Sequence, residues 1–250
     1  MGLVVALAPP LARFARSAAV GVAAAFVVTL VQCSSTLGSS GSGVTGAAQN
    51  EADGGSVAYP TGHIGTAARG LDANGNPNKA PGDVITDFKF LGYPNADTSN
   101  GLQTIALADY YDPSASKHKV LHIIAAAAWC TPCVQETTTL LADLAAPATD
   151  FEAEGVVYLQ ALVEGTTDNL GATPADLNAW ISEEHPTFSE VLDPEGMTLG
   201  VFFNAASVPF NADIDVRSME VLQTGTGYED PAAVKVWIDW VANNPPAYSE

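Results

Sequence analysis

Apolar and polar positions change rhythm along the chain, and each change marks an element. Val84 to Phe90 alternates apolar with polar side chains, as a half-exposed strand does, and Thr104 to Leu107 offers a short partner. Lys119 to Ala127 is nearly continuous in apolar residues, with Val120-Leu121-His122-Ile123-Ile124 at its centre, the pattern of a buried central strand. The period then lengthens. From Thr131 to about Ala146, Val134, Thr137, Thr138 and Leu141 recur at helical spacing, and Gly155 separates that helix from a further strand, Val156 to Val163. Thr173 reads as an N-cap with Pro174 in the first turn, and Leu177, Trp180 and Ile181 share a face before Pro186 stops the helix. After a turn at Asp193-Pro194-Glu195-Gly196 and a short helix, Phe210 to Asp215 and Met219 to Thr224 pair as a hairpin. A last helix is capped by Asp230, opens on Pro231 and carries Val234, Trp237, Ile238 and Val241 as its apolar stripe.

The strand-helix-strand unit around residue 130 requires a parallel pair with a right-handed crossover, whereas the closing strand-strand-helix adds antiparallel strands. The expected fold is α/β, a mixed central β-sheet with helices on both faces and an N-terminal strand extension, all within residues 81–245.

Charge changes the picture at the N-terminus. The chain has 250 residues, and no Asp or Glu precedes Glu51. Arg13 and Arg16 stand before the apolar run Ser17 to Val31, a run too short to span a bilayer comfortably and laid out like an export signal over residues 1–32. Cleavage there leaves seven basic against 28 acidic groups, a net charge of −21, and a chain beginning at Cys33. Such an acidic chain repels phosphate backbones, which excludes nucleic acid as the expected partner. The motif Leu30-Val31-Gln32-Cys33 resembles the lipobox of bacterial lipoproteins, with Gln32 standing where that motif has a small residue. The resemblance implies a diacylated Cys33 and a domain held at a membrane surface. Residues 33–58, rich in Gly and Ser, follow as a flexible tether, and residues 59–80 as an irregular lead-in. Within it, Asp72 to Asn78 puts side-chain oxygens at every second position. This suits a calcium loop or, as readily, a tight turn, and it lacks the downstream bidentate Glu of an EF-hand.

The chemistry concentrates in Trp129-Cys130-Thr131-Pro132-Cys133, where the buried strand gives way to the helix. Cysteines at i and i+3 across a helix start can close a disulfide within one turn. The first lies near unpaired N–H groups and the positive end of the helix dipole, which favour its thiolate. Glu136 is the nearby carboxylate that opposes this. A bridge over so short a span adds little through chain entropy, so a redox role explains it better than a structural one. Val134 in place of a His after Cys133 excludes covalent c-type haem. Three cysteines leave no second pair for a structural zinc site, and His122 reads as a packed residue rather than a ligand. Copper(I) on the two thiolates is the binding-module alternative.

Trp129-Cys130-Thr131-Pro132-Cys133 with Glu136, the Asp193-Pro194-Glu195-Gly196 turn, and Val208-Pro209 before Ile214-Asp215 together resemble the TlpA- and ResA-like thiol-disulfide oxidoreductases of the bacterial cell envelope, over roughly Pro81 to Asn244. Two positions depart from that family's pattern, Thr137-Thr138-Thr139 after the Glu and Phe210 after the proline. The resemblance implies a thioredoxin-like fold with Cys130 as nucleophile, Cys133 as resolving thiol, Trp129 beside the pair and Pro132 between the cysteines. It also implies a cis bond at Pro209 opposite them. The redox-active Cys130–Cys133 disulfide would then serve in place of a cofactor. The expected protein is a monomer in the envelope, facing the periplasm on its lipid anchor. It would exchange disulfides with protein thiols there and act as a reductase fed by a membrane electron donor.

Overall fold

In the computed structural model, residues 58–204 and 207–248 are described. The expected export signal, nearly all of the expected tether and Cys33 lie outside them. The strands are β1 (Lys89–Tyr93), β2 (Gln103–Ala106), β3 (Val120–Ala127), β4 (Val156–Glu164), β5 (Ser189–Leu192), β6 (Phe210–Asp215) and β7 (Glu220–Thr226). The helices are α1 (Thr131–Leu144), α2 (Phe151–Glu154), α3 (Pro174–Glu184) and α4 (Lys235–Asn243). Short 3-10 turns join several of them.

All seven strands form one sheet in the order β2-β1-β5-β4-β3-β6-β7. β3, β4 and β5 run parallel and every other pairing is antiparallel. This is the mixed sheet of a thioredoxin-like fold, extended at one edge by the β1–β2 hairpin. β3 is buried at every position because it lies between β4 and β6, where Ile123 pairs with Leu159 on one side and Ala212 on the other.

Side-chain bonds show what covers each face. Gln160 of β4 donates to Thr137 of α1 (2.8 Å) and accepts from the Trp180 indole of α3 (3.1 Å). Trp237 of α4 donates to Gln223 of β7 (3.1 Å), so the three longest helices share one face. On the opposite face Phe210 stacks on Phe203, ring centroids 4.5 Å apart, just beyond the 3-10 turn Leu199–Val201. The two layers are therefore unequal, α-helical on one side and built of short turns and the lead-in on the other.

The helix ends follow local chemistry. Thr173 and Asp176 cap α3 reciprocally, Thr173 N–H to the carboxylate at 2.9 Å and Asp176 N–H to the hydroxyl at 3.3 Å. His185 closes α3 in the left-handed region ahead of Pro186. The terminal helix begins at Pro231 as expected, as a 3-10 turn that becomes α4 at Lys235.

One expectation needs correction, and two elements were not anticipated. The first strand lies at Lys89–Tyr93 rather than Val84–Phe90. Val84 and Ile85 are buried against β7 and the residue before it, Ile85 N–H bonding Met219 C=O at 2.9 Å, and packing rather than a ladder produced their alternation. β5 escapes the pattern because Ser189 and Glu190 are polar yet buried. α2 is a single turn, too short to show a period.

The lead-in is bound to the sheet. Arg69 and Gly70 donate backbone N–H groups to Val221 and Leu222 of β7 (2.9 and 2.8 Å), and Val221 donates to Asp83 (2.8 Å). Arg69 pairs with Glu220 at 2.8 Å, both buried, and its guanidinium lies 4.7 Å over the Trp240 ring. Gly82 runs so close to the Val221 carbonyl that any Cβ would collide with backbone. In the Asp72–Asn78 loop, the Asp72 carboxylate accepts the N–H groups of Asn74 (2.8 Å) and Asn76 (2.9 Å), the geometry of a side-chain-stabilised turn.

Candidate active site

β3 carries the chain to the top of the sheet, and Cys130, extended at the N-cap, starts α1 there. Pro132 sits in the first turn, where a missing N–H costs no helical bond. Cys130 and Cys133 are joined by a disulfide, with Cα atoms 5.3 Å apart, and Cys133 N–H points at Cys130 Sγ (3.2 Å). The helix start thus presents a backbone donor to the sulfur that the family resemblance implies as nucleophile. Cys133 is fully buried and Cys130 is 2% exposed.

Three elements frame the pair. The loop before β6 places the Val208 carbonyl 3.6 Å from Cys130 Sγ, and the Val208–Pro209 bond is cis. Trp129, 37% exposed, donates its indole N–H to Glu164 at the end of β4 (2.6 Å), and Glu164 also accepts Asn169 N–H (3.0 Å). Asp193 closes the Asp-Pro-Glu-Gly turn by accepting the N–H groups of Thr198 and Leu199, each at 2.8 Å. The structure therefore gathers Trp129, Cys130, Pro132, Cys133 and Pro209 at one end of the sheet, while Cys33 lies outside the described residues.

Behind α1 lies a buried polar group of which sequence reasoning singled out Glu136 and His122 and missed Asn211, Asp213 and Glu229. Glu136, one turn after Cys133, accepts the Asn211 amide (3.0 Å) and the backbone N–H of Glu229 (2.6 Å) through Oε1, and its Oε2 has no partner. His122 Nδ1 bonds Asp213 at 2.8 Å. A cavity of about 10 Å³ lies among His122, Glu136, Tyr158 and Glu229. Burial raises the Glu136 carboxyl above its usual range, against the Glu229 and Asn211 bonds and the His122 charge. Burial, reinforced by Asp213 and Glu136 and opposed by His122, pushes Glu229 up to about 7. For His122 burial opposes the charged ring, but the Asp213 bond and charge, with Glu229 and Glu136, carry it above its ordinary value. A signal for this group existed in β6, where Asn211, Asp213 and Asp215 alternate with apolar residues. The hairpin reading assigned these residues no face, and all of them are buried.

Among the described residues no cluster of three His, Cys, Asp or Glu side chains is placed to hold a metal ion, and no helix is long and apolar enough to cross a membrane.

No protein-family model and no curated protein matches the chain. Solved structures do. A candidate thiol:disulfide interchange protein, DsbE, of Chlorobium tepidum is similar at 22% identity, over 65% of this chain and 97% of that one, with a TM-score of 0.47. The exposed lipoprotein thioredoxin Etrx1 of Streptococcus pneumoniae is 24% identical over 62% and 98% of the two chains (TM-score 0.42). StoA of Bacillus subtilis is 19% identical over 61% and 97% (TM-score 0.41).

Proposed function

We propose that this chain is a thiol-disulfide oxidoreductase that exchanges disulfides with proteins of the bacterial envelope, chiefly as a reductase. One observation carries the reading: a disulfide at a helix N-terminus, its first sulfur facing the carbonyl of a cis X–Pro bond 3.6 Å away. In the reduced protein Cys130 attacks a target disulfide as thiolate, expelling one target thiolate and forming a mixed disulfide. Cys133 then loses its proton and attacks Cys130 Sγ, which releases the second thiolate and restores the bridge. Trp129, fixed by Glu164, walls the pair, and the backbone beside Pro209 holds the extended target segment.

Charge supports the reductase direction. Strong oxidants of this type owe their potential to a stabilised thiolate. Here the carboxylates of Glu136 and Glu229 stand behind the same helix whose dipole favours the thiolate, so the disulfide is the better-supported state and the dithiol donates electrons. An export signal ahead of Cys33, acylation of that cysteine and a membrane electron donor complete the reading.

The test is a redox titration against thiol buffers followed by tryptophan fluorescence, together with Cys130→Ser. A potential near that of thioredoxin, roughly −270 mV, supports a reductase, and one near roughly −120 mV makes the chain an oxidase. Insulin reduction that survives in Cys130→Ser overturns the assignment.

A further inference from the structure

Resting on that reading, the surface around the pair indicates which target segment it takes. Single exposed apolar side chains are ordinary on a protein surface, so their grouping is what counts. Among the described residues eight large apolar side chains are exposed, and five of them, Trp129, Leu170, Met197, Val201 and Tyr228, belong to segments that frame Cys130. Trp129 precedes it in the chain. Leu170 lies in the loop after β4, next to Asn169, whose N–H is held by the same Glu164 that fixes the Trp129 indole. Met197 lies in the turn closed by Asp193, and that turn touches the β4 loop, where a Cβ on Gly171 would stand 3.2 Å from Glu195 Cγ. Val201 precedes Phe202, whose ring stacks on that of Phe210 just after Pro209, centroids 6.1 Å apart. Tyr228 follows Gly227, which donates its N–H to the Pro209 carbonyl at 2.7 Å. Met197 is 81% exposed and Leu170 and Val201 are 59% each, so the redox end carries an apolar rim left open to water.

Charge on this rim has one sign. Residues 128–132, 165–171, 193–204, 207–209 and 226–230 contain no Lys, Arg or His and carry Asp168, Asp193, Glu195, Glu229 and Asp230. Asp193 is buried and Glu229 half-buried, whereas Asp168, Glu195 and Asp230 are exposed. Lys89 opens β1 at the same end of the sheet, because β1 runs antiparallel to β5. It stands three strands across from β3, roughly 14 Å, beyond a Debye length of about 8 Å at physiological salt. A segment laid across the rim therefore buries apolar side chains on it and meets carboxylates at its flanks.

We propose that this rim docks target segments whose reactive cysteine is flanked by apolar residues and by Lys or Arg, with Asp168 and Glu195 reading the positive flank. The Cys130 thiolate attacks one sulfur of the docked disulfide, and the electron pair of that bond leaves with the first target thiolate. Cys133 then closes the bond to Cys130 and frees the second. Two electrons pass from the dithiol to the target, and its two protons end on the two target thiols.

The probes are disulfide dimers of three capped peptides, Lys-Leu-Cys-Leu-Lys, Ser-Leu-Cys-Leu-Ser and Glu-Leu-Cys-Leu-Glu. Reduced full-length protein carrying Cys33→Ser, in which the pair supplies the only thiols, is mixed with each and followed by tryptophan fluorescence. Dividing each rate constant by that of dithiothreitol with the same peptide removes the peptide's own reactivity. The lysine peptide should exceed the glutamate peptide by at least about tenfold at low salt, and the ratio should collapse in 1 M NaCl, where the Debye length is about 3 Å. Asp168→Asn with Glu195→Gln should bring the ratio to about threefold or less. Met197→Ser with Val201→Ser should slow the serine-flanked peptide at least about fivefold, through the apolar contact alone. Equal normalised rates for the three peptides overturn the proposal and leave the oxidoreductase reading standing. So does a lysine preference that survives both carboxylate changes, which would belong to the acidity of the whole chain. Binding to phosphatidylcholine vesicles that Met197→Ser with Val201→Ser abolishes gives the rim to a lipid surface and overturns the proposal as well. If dithiothreitol reduces all three peptides and the protein none, the redox reading itself fails, and the proposal with it.

Discussion

Arg69 and Glu220 stand 151 positions apart in the chain and 2.8 Å apart in the structure, both buried. Glu220 also accepts the Gly82 N–H at 2.7 Å, so one carboxylate fastens the middle of the lead-in and the segment just after it to β7. Arg69→Ala strands a buried carboxylate and should cost about 3 to 5 kcal/mol, read as a lower urea midpoint. The double change Arg69→Met with Glu220→Leu should recover most of that loss, since no uncompensated charge remains.

Cys133→Ser should trap the adduct that Cys133 otherwise clears. With an oxidised protein substrate, mass spectrometry should find one target thiol linked to Cys130 and none lost over time, whereas Cys130→Ser should give no adduct.

Glu164→Ala frees the Trp129 indole from its 2.6 Å bond. Trp129 is over a third exposed, so stability should change by no more than about 1 kcal/mol. The readout is the fluorescence difference between oxidised and reduced protein, which should shrink as the ring moves away from the disulfide.

Stability should fall as pH rises from 5 to 8, within the window where the buried group titrates. Glu229 binds its proton more tightly folded, at about 7, than unfolded, so the folded state loses ground as pH climbs from the unfolded value of 4.5 through 7. His122 acts in the same sense, its contribution complete below 6.5 and lost above that as the folded ring titrates. Asp112 acts oppositely. Slight burial raises it, but bonds from Lys117, Ser114 and Ser116 bring it down to about 2, so its contribution holds above 3.8 and disappears in acid. Melting temperature against pH should therefore peak between about 4 and 6, and Glu229→Gln should flatten the alkaline side.

Elements whose burial matches their polarity were legible. β3, α1, α3, the β6–β7 hairpin and α4 all emerged from periodicity and caps, and the cysteine pair emerged from spacing. What stayed hidden is polar chemistry inside the protein. Glu190 on β5 and Asp213 on β6 are buried, which no alternation rule anticipates, because their burial depends on helices brought in from elsewhere in the chain. The irregular look of residues 59–80 is a correct reading of local sequence. Its partner, β7, lies some 150 positions downstream, beyond any local pattern.

The backbone bonds from Arg69 and Gly70 occupy one flank of β7, the terminal strand of the sheet. An uncovered terminal strand offers its N–H and C=O groups to any other chain that can extend beside it. The lead-in is thus a guard against self-association as much as a spacer. A protein trimmed to begin at Pro81, where sequence alone draws the domain boundary, would keep the Cys130–Cys133 pair yet tend to precipitate edge to edge. Beginning before Tyr59 would keep it soluble.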